Sequence, residues 1–404
     1  MRIAIAGVGV AGGVIATGLA GLPGVEVLAF EKVGPDDHAA AGNGLNVGPN
    51  ALLALQNVLP EMAARLRAAS LPWRQWRAAT MAGEPLYEVA LQEVAQCEGI
   101  RIRWAELYRA CRERTGGVVR FNAAVTGVRQ VADGGLSVTV HEAGGAERTV
   151  ADIDLLIAAD GRYSVVREQL SGSPEVTHLG VGNFRVLLRD DGRMAIDDLE
   201  QWFNGPARLL AFRLKGGLVY LSGNLPIEAG AEISAECKSA AGIARAYTPA
   251  DGRIADVPRW LLAGACRAAD ADELHWSRVQ ENTVAWTDSS DRALYLGDAG
   301  HAMVPTLGQG ATSAIEDGTL FVRDFRAAWA AGGGRVDVPA LTSGYAALRG
   351  PRVDFVRAFS WEASDVLMEP GFSLDKVRAK GGAQFRAKLA RLYKELELAE
   401  PVVA

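Results

Sequence analysis

The chain has 404 residues, 49% of them hydrophobic and 22% charged, with a formal net charge of −6. That length exceeds one ordinary hydrophobic core, so two joined domains sharing a cleft are expected, and the near-average composition excludes disordered, collagen-like and coiled-coil classes. Acidic and basic residues interleave instead of forming tracts, which leaves no footprint for nucleic acid or an anionic membrane surface.

The apolar start is interrupted by Gly7, Gly9, Gly12 and Gly13 and lacks a basic leader, so it reads as a strand over 2–6, a turn, a helix over 10–22 and a strand over 25–30. This βαβ unit implies a parallel sheet with helices packed on it. Helices are expected over 49–67, with Asn50 as its cap, and over 105–114. Residues 118–150 alternate as a small antiparallel meander, and 181–276 are strand-rich, with Lys215-Gly216-Gly217 turning a hairpin. Helical patterns return over 310–331, 341–367 and 375–398. No apolar run reaches the roughly 20 residues of a membrane helix, so a cytoplasmic protein is expected. Cys97, Cys111, Cys237 and Cys266 form no C-x-x-C pair, and no metal site is expected.

Three blocks carry chemistry. Gly7-Val8-Gly9-Val10-Ala11-Gly12 is a G-x-G-x-x-G between a strand and a helix. Gly7 allows the turn, Gly9 lets backbone approach a pyrophosphate, and Gly12 lets the helix pack closely, while free N–H groups face the anion. Glu31, about 20 residues on and followed by Lys32, is placed to bond a ribose diol. The second block, LLIAADGRYSVVR, ends an apolar strand at Asp160-Gly161. The third, LYLGDAGHAMVPTLGQGATSAIED, ends one at Gly297-Asp298 and opens a helix near Gln309. A carboxylate at a strand end suits a polyol hydroxyl, and the helix beginning near Gly310 aims its positive end at whatever lies before it.

In this order and separation the three blocks resemble the class A flavoprotein monooxygenases, the para-hydroxybenzoate hydroxylase family, over roughly residues 2–355. The resemblance implies an α/β fold: a Rossmann-type FAD-binding domain, an inserted mixed or antiparallel β-sheet substrate domain, and C-terminal helices. The expected division is 1–175 and 281–370 for the FAD-binding domain, 176–280 for the substrate sheet and 371–404 for a helical tail. FAD would be held without a covalent bond by Gly7, Gly9, Ala11, Gly12, Glu31, Lys32, Asn43, Asp160 and Asp298, with Pro305, Gly308, Gln309, Gly310 and Ala311 lining the flavin. The segment Gly42 to Asn50 resembles the family's loop beside the flavin. Where salicylate hydroxylase-like members place an arginine this chain has Trp104, beside Arg101 and Arg103, which leaves open which arginine, if any, serves FAD; Arg103 is taken as the candidate. His301 is read as a structural or flavin-positioning residue.

In such enzymes the reduced flavin forms a hydroperoxide with O2 and hydroxylates an electron-rich ring, with NAD(P)H as transient reductant. The absence of a second glycine fingerprint fits a reductant that binds in a surface groove. The middle sheet, loosely similar to pyridine-ring oxygenases, offers Tyr220 for a ring hydroxyl and Arg208 for a carboxylate, with Phe212 and Trp202 beside them. The expectation is a small aromatic or heteroaromatic substrate acted on by a monomer or homodimer. A halogenase, a dehydrogenase or a non-catalytic flavin-binding protein are the rival readings on the same fold, although no W-x-W-x-I-P stretch marks a halogenase.

Overall fold

Ile3, Ala4, Ile5 and Ala6 have no solvent exposure, because the strand Arg2–Ala6 is covered on both faces. In the computed structural model, which describes residues 1–37, 43–131, 134–190, 192–368 and 370–396, this strand is the centre of a five-stranded parallel sheet. Its neighbours are Leu155–Ala158 on one side and Glu26–Phe30 on the other, and Ala293–Tyr295 and Val119–Arg120 form the edges. The strands thus come from both ends of the expected nucleotide-binding domain, as in a Rossmann-type α/β fold. Two helices cover one face together: Gln309–Ala331 lies on Val10–Leu19 so closely that a Cβ at Gly318 would stand 2.9 Å from the Ala11 carbonyl oxygen.

The meander is the three-stranded antiparallel sheet Ala123–Gln130, Leu136–Glu142 and Glu147–Ile153. The large mixed sheet has seven strands, in the order His275–Asn282, Val176–Arg189, Leu218–Pro226, Ala207–Leu214, Leu199–Asn204, Gln75–Thr80 and Pro85–Ala90. Its last two strands come from the segment expected within 1–175, and they join through a parallel pairing to Leu199–Asn204. Period-two alternation splits this sheet into two cores. Leu209 and Ala211 face the helices Ala240–Tyr247 and Asp256–Asp270, while Phe212, Leu214 and Tyr220 face the C-terminal helices. A small sheet of Leu71–Trp73, Gly99–Arg103 and Gly44–Val47 bridges the two larger ones.

Four expectations change in detail. The helix over 49–67 is two helices, Pro49–Val58 and Pro60–Ala69, because Pro60 has no N–H to continue the ladder. Gly48, not Asn50, caps the first of them. The strand-rich span contains three helices, Ala235–Lys238, Ala240–Tyr247 and Asp256–Asp270, which pack on the sheet's outer face. The tail over 375–398 breaks at Gly381-Gly382 into Leu374–Ala379 and Ala383–Lys394. Among the described residues no helix is long and apolar enough to cross a membrane.

Candidate functional site

The first turn is built by steric exclusion. Gly7 sits at φ +83, and a Cβ there would meet the Ala159 carbonyl oxygen at 2.5 Å; one at Gly12 would stand 2.0 Å from the Gly7 carbonyl oxygen. Gly9 differs, since its only near neighbour is Tyr108 Cε1 at 3.9 Å, leaving open space over the turn. The helix Val10–Leu19 begins there with no side-chain cap and no acid in its first turn, so its N–H groups remain available to an anion.

Glu31 is 6% exposed beside this turn. Its Oε2 accepts from the Val8 N–H at 2.9 Å and Arg112 Nη2 at 3.0 Å, and its Oε1 accepts only from the Val33 N–H at 3.2 Å. Oε1 therefore keeps acceptor capacity. Lys32 is exposed. Arg112, buried with its Nε on the Val8 carbonyl at 2.5 Å, leaves Nη1 without a partner. One helix, Trp104–Arg112, presents Trp104, Tyr108 and Arg112 along this side: Trp104 stacks on Tyr108 at 5.4 Å, and the Arg112 guanidinium lies 5.1 Å from the Tyr108 ring. Burial pushes the Tyr108 phenol up to about 12, and the carboxylates of Glu31 and Asp298 add to the effect after Arg112 opposes it. Tyr108 thus lies beside Gly9 and within electrostatic reach of Glu31 and Asp298, residues the sequence spreads over 289 positions.

Asp298 follows Gly297 at φ +59 and opens the short helix Asp298–His301. Half-buried, it lies 3.9 Å from the position of a Cβ on Gly310. Gly308 takes the left-handed conformation at φ +66, and any side chain there would collide with Asn46. Gln309, Gly310 and Ala311 form the uncapped first turn of Gln309–Ala331, again with no acid in it, and Pro305 is exposed just before. Gln309 has no exposure, and its Oε1 accepts from Asn50 Nδ2 at 3.0 Å. Asn43 gives its carbonyl to the Trp104 N–H at 3.1 Å while its Oδ1 is buried without a partner; Gly42 lies outside the described residues.

A buried charge network backs this end. Asp317 takes Arg349 on Oδ1 at 2.8 Å and both His301 Nε2 at 2.7 Å and the Gly297 N–H at 2.9 Å on Oδ2. Glu316 Oε1 takes Asn50 at 2.6 Å and Arg352 at 3.1 Å, and Arg352 reaches on to the Leu392 carbonyl at 2.6 Å. Burial alone would raise the Asp317 carboxyl, but His301 and Arg349 hold it at about 2. His301 is 1% exposed and fixed by this carboxylate.

Asp160 caps the following helix turn, accepting from the Val166 N–H at 3.3 Å, yet its Oδ1 is buried without a partner. Desolvation raises its pKa against the lowering effect of Ser164 and backbone N–H groups. Arg167 binds this block to the Asp298 block through the Ala299 and Gly300 carbonyls at 3.1 and 3.2 Å.

Arg208 and Tyr220 lie on one face of the large sheet, where Phe212 pairs with Tyr220 at 4.8 Å between ring centres. Tyr220 also meets the strand Gly44–Val47, since a Cβ at Gly44 would stand 3.0 Å from the Tyr220 Cβ. Arg208 is 6% exposed; its Nη2 donates to Asn224 Oδ1 at 2.5 Å, its Nε has no partner, and among the described residues no carboxylate pairs with it. Burial lowers its pKa to about 10, so it remains a cation at neutral pH. Trp202 does not join them. It packs with Leu209 in the opposite core, because it is one residue out of phase with the inner face. Arg103, opposite Gly44 in the small sheet, lines a pocket with Lys215 and Leu214.

Sequence reasoning missed Tyr108 and Arg112, although their spacing with Trp104 at i, i+4 and i+8 marks one helix face. It also missed Arg349 and Arg352, whose signal was the acidic pair Glu316-Asp317 in the fully buried stretch of the helix Gln309–Ala331.

Residues 1–337 match the family model described as FAD binding domain. The 3-amino-4-hydroxybenzoate 2-monooxygenase PtmB3 of Streptomyces platensis is 30% identical over 340 residues, covering 78% of this chain and 77% of that protein. The FAD-dependent urate hydroxylase of Klebsiella pneumoniae is 27% identical over 334 residues, covering 78% and 80%. The solved structure of Klebsiella pneumoniae HpxO with FAD and uric acid superposes with a TM-score of 0.80 at 22% identity, over 97% of this chain and 96% of that one, a likeness of fold. The chain therefore belongs to the FAD binding domain family, as a member of the class A FAD-dependent monooxygenases.

Proposed function

We propose that the chain binds one FAD along the line from Gly9 to Gly310 and hydroxylates a small, acidic aromatic or heteroaromatic ring, using NAD(P)H and O2. The residues fit that cofactor: the space over Gly9 is open, and the buried Asp160 Oδ1 and Arg112 Nη1 each lack a partner beside the cradle. Gly7, Gly9 and Gly12 with the N–H groups near Ala11 would take the pyrophosphate, Glu31 Oε1 the ribose, and Asp298 the ribityl hydroxyls. Gln309, Gly310 and Ala311 would present N–H groups to the pyrimidine edge, and Gly308, Pro305 and Asn43 would border the ring. When bound and reduced, the flavin supplies the oxygen-activating chemistry.

The chain's own share is binding and exclusion of water. The observation that carries the reading is Arg208, a buried cation facing the inner core without a carboxylate. Leaving such a charge unpaired costs several kcal/mol, and an acidic substrate would supply the missing partner through a guanidinium fork. Tyr220, stacked on Phe212, would bond a ring hydroxyl and orient the ring. The aminohydroxybenzoate and urate named for the two relatives are both acidic rings of this size. The test is a screen of hydroxybenzoates, hydroxypyridines and fused heteroaromatics such as urate. An acidic ring should accelerate NAD(P)H oxidation and leave as a hydroxylated product with matching O2 uptake. Acceleration only by neutral rings, or reductant oxidation with no hydroxylated product from any ring, would overturn it.

A further inference from the structure

A second pocket, of about 300 Å³, opens at the edge of the small sheet, with Arg101, Arg103, Glu106 and Lys215 on its wall and Ala68 and Leu214 as apolar lining. The strand register fixes its orientation. Gly44 pairs with Arg103 and Asn46 with Arg101, and directly opposed residues project from the same face. On that same face Gly44 approaches Tyr220 and Phe212, and Asn46 closes on Gly308. The pocket therefore adjoins the flavin-side loop but is separate from the turn at Gly9.

Its wall is mainly basic. Arg101, 2% exposed, is anchored by its Nε on the Pro72 carbonyl at 2.8 Å and balanced by Asp197 at 3.3 Å and the buried Asp198 at 3.7 Å, yet its Nη1 is buried without a partner. Arg103 has no ion-pair partner among the described residues, and its Nε is also buried and unpartnered. Lys215, at the hairpin tip, donates only to the Ala68 carbonyl. Glu106, the one carboxylate on the wall, is held by Arg109 at 2.6 Å. Unused guanidinium donors with a lysine beside them match the oxygens and charge of a phosphate better than those of a carboxylate. The substrate acid, moreover, already has Arg208. The volume is at the small end of the roughly 300 to 1,000 Å³ usual for ligand pockets, enough for one sugar phosphate and too little for a dinucleotide.

We propose that this pocket receives a phosphate of the reduced nicotinamide dinucleotide, with Arg103 and Lys215 as principal donors and Arg101 as a fixed third. The proposal rests on the NAD(P)H reading above. It also gives a physical reason why no second glycine fingerprint is needed: side chains, rather than a helix N-terminus, hold the phosphate of a ligand that comes and goes.

The experiment compares FAD-loaded wild type with Lys215→Gln, Arg103→Gln and Lys215→Arg, measuring KM for NADPH and for NADH together with FAD content and melting temperature. Loss of one charged donor should raise KM about tenfold, while Lys215→Arg keeps the wild-type value. A rise for NADPH alone assigns the pocket to the 2′-phosphate, and a rise for both coenzymes assigns it to the pyrophosphate; either supports the proposal. Unchanged KM for both coenzymes in properly folded, FAD-loaded variants would overturn it and leave the functional reading intact. Loss of FAD from Arg103→Gln would return that arginine to the cofactor and overturn it too. A wild type that oxidises neither coenzyme would overturn the functional reading and this proposal together.

Discussion

The turn at Gly7 to Gly12 and the turn at Gly297 to Ala311 do the same job, presenting an uncapped helix N-terminus beyond a strand end, but they are held in place by different forces. The first is shaped mainly by close backbone packing, Gly12 against the Gly7 carbonyl and Gly7 against Ala159, with Val8 held by the buried Glu31–Arg112 pair. The second is pinned from behind by a larger buried network of charged side chains, with Gly297 tied to Asp317, Asp317 to Arg349, and Gln309 through Asn50 to Glu316 and Arg352. One turn is therefore set chiefly by close backbone packing and the other chiefly by a buried charge network, and the two should fail in different ways.

The largest effect should come from the turn at Gly297 to Ala311. Arg349→Met leaves Asp317 and Glu316 short of a buried cation and should cost about 3–5 kcal/mol in chemical denaturation, with FAD loss following. A cost below about 1 kcal/mol would mean the network does not pin the loop. The same network predicts acid sensitivity. The Asp317 carboxyl is held at about 2, below its ordinary 3.8. Its contribution is therefore full above the unfolded value and is lost as pH falls from about 4 toward 2, an effect on the order of 2 kcal/mol. The stability gap between wild type and Asp317→Asn should narrow over that window, and a gap independent of pH would contradict the assignment. At the steric end, Gly12→Ala drives a methyl into the Gly7 carbonyl. We expect about 1–3 kcal/mol of strain, read chiefly as weaker FAD binding with little change in acid sensitivity.

The same contrast explains what could be read from the sequence. The βαβ unit, the hairpin at Lys215-Gly216-Gly217 and the three motif blocks were legible because each rests on neighbours in the chain. The two strands over 75–90 that complete the large sheet were not, since their partner Leu199–Asn204 is more than a hundred residues away. Trp202 was misplaced because a sheet residue's face depends on register, and register was set by pairing that no local pattern reveals. Tyr108, Arg349 and Arg352 act only through tertiary contacts. Arg208 was legible as a residue type suited to a carboxylate, but its isolation from every described carboxylate is a property of the folded core.

The most direct measurement is a titration of apoprotein with FAD for wild type, Glu31→Gln, Asp298→Ala and the double variant. The convergence of distant segments on one cofactor predicts one FAD per chain, and a loss of affinity in each single variant of about tenfold or more. A wild type that binds no FAD, or an Asp298→Ala variant that binds it as tightly as wild type, would contradict it.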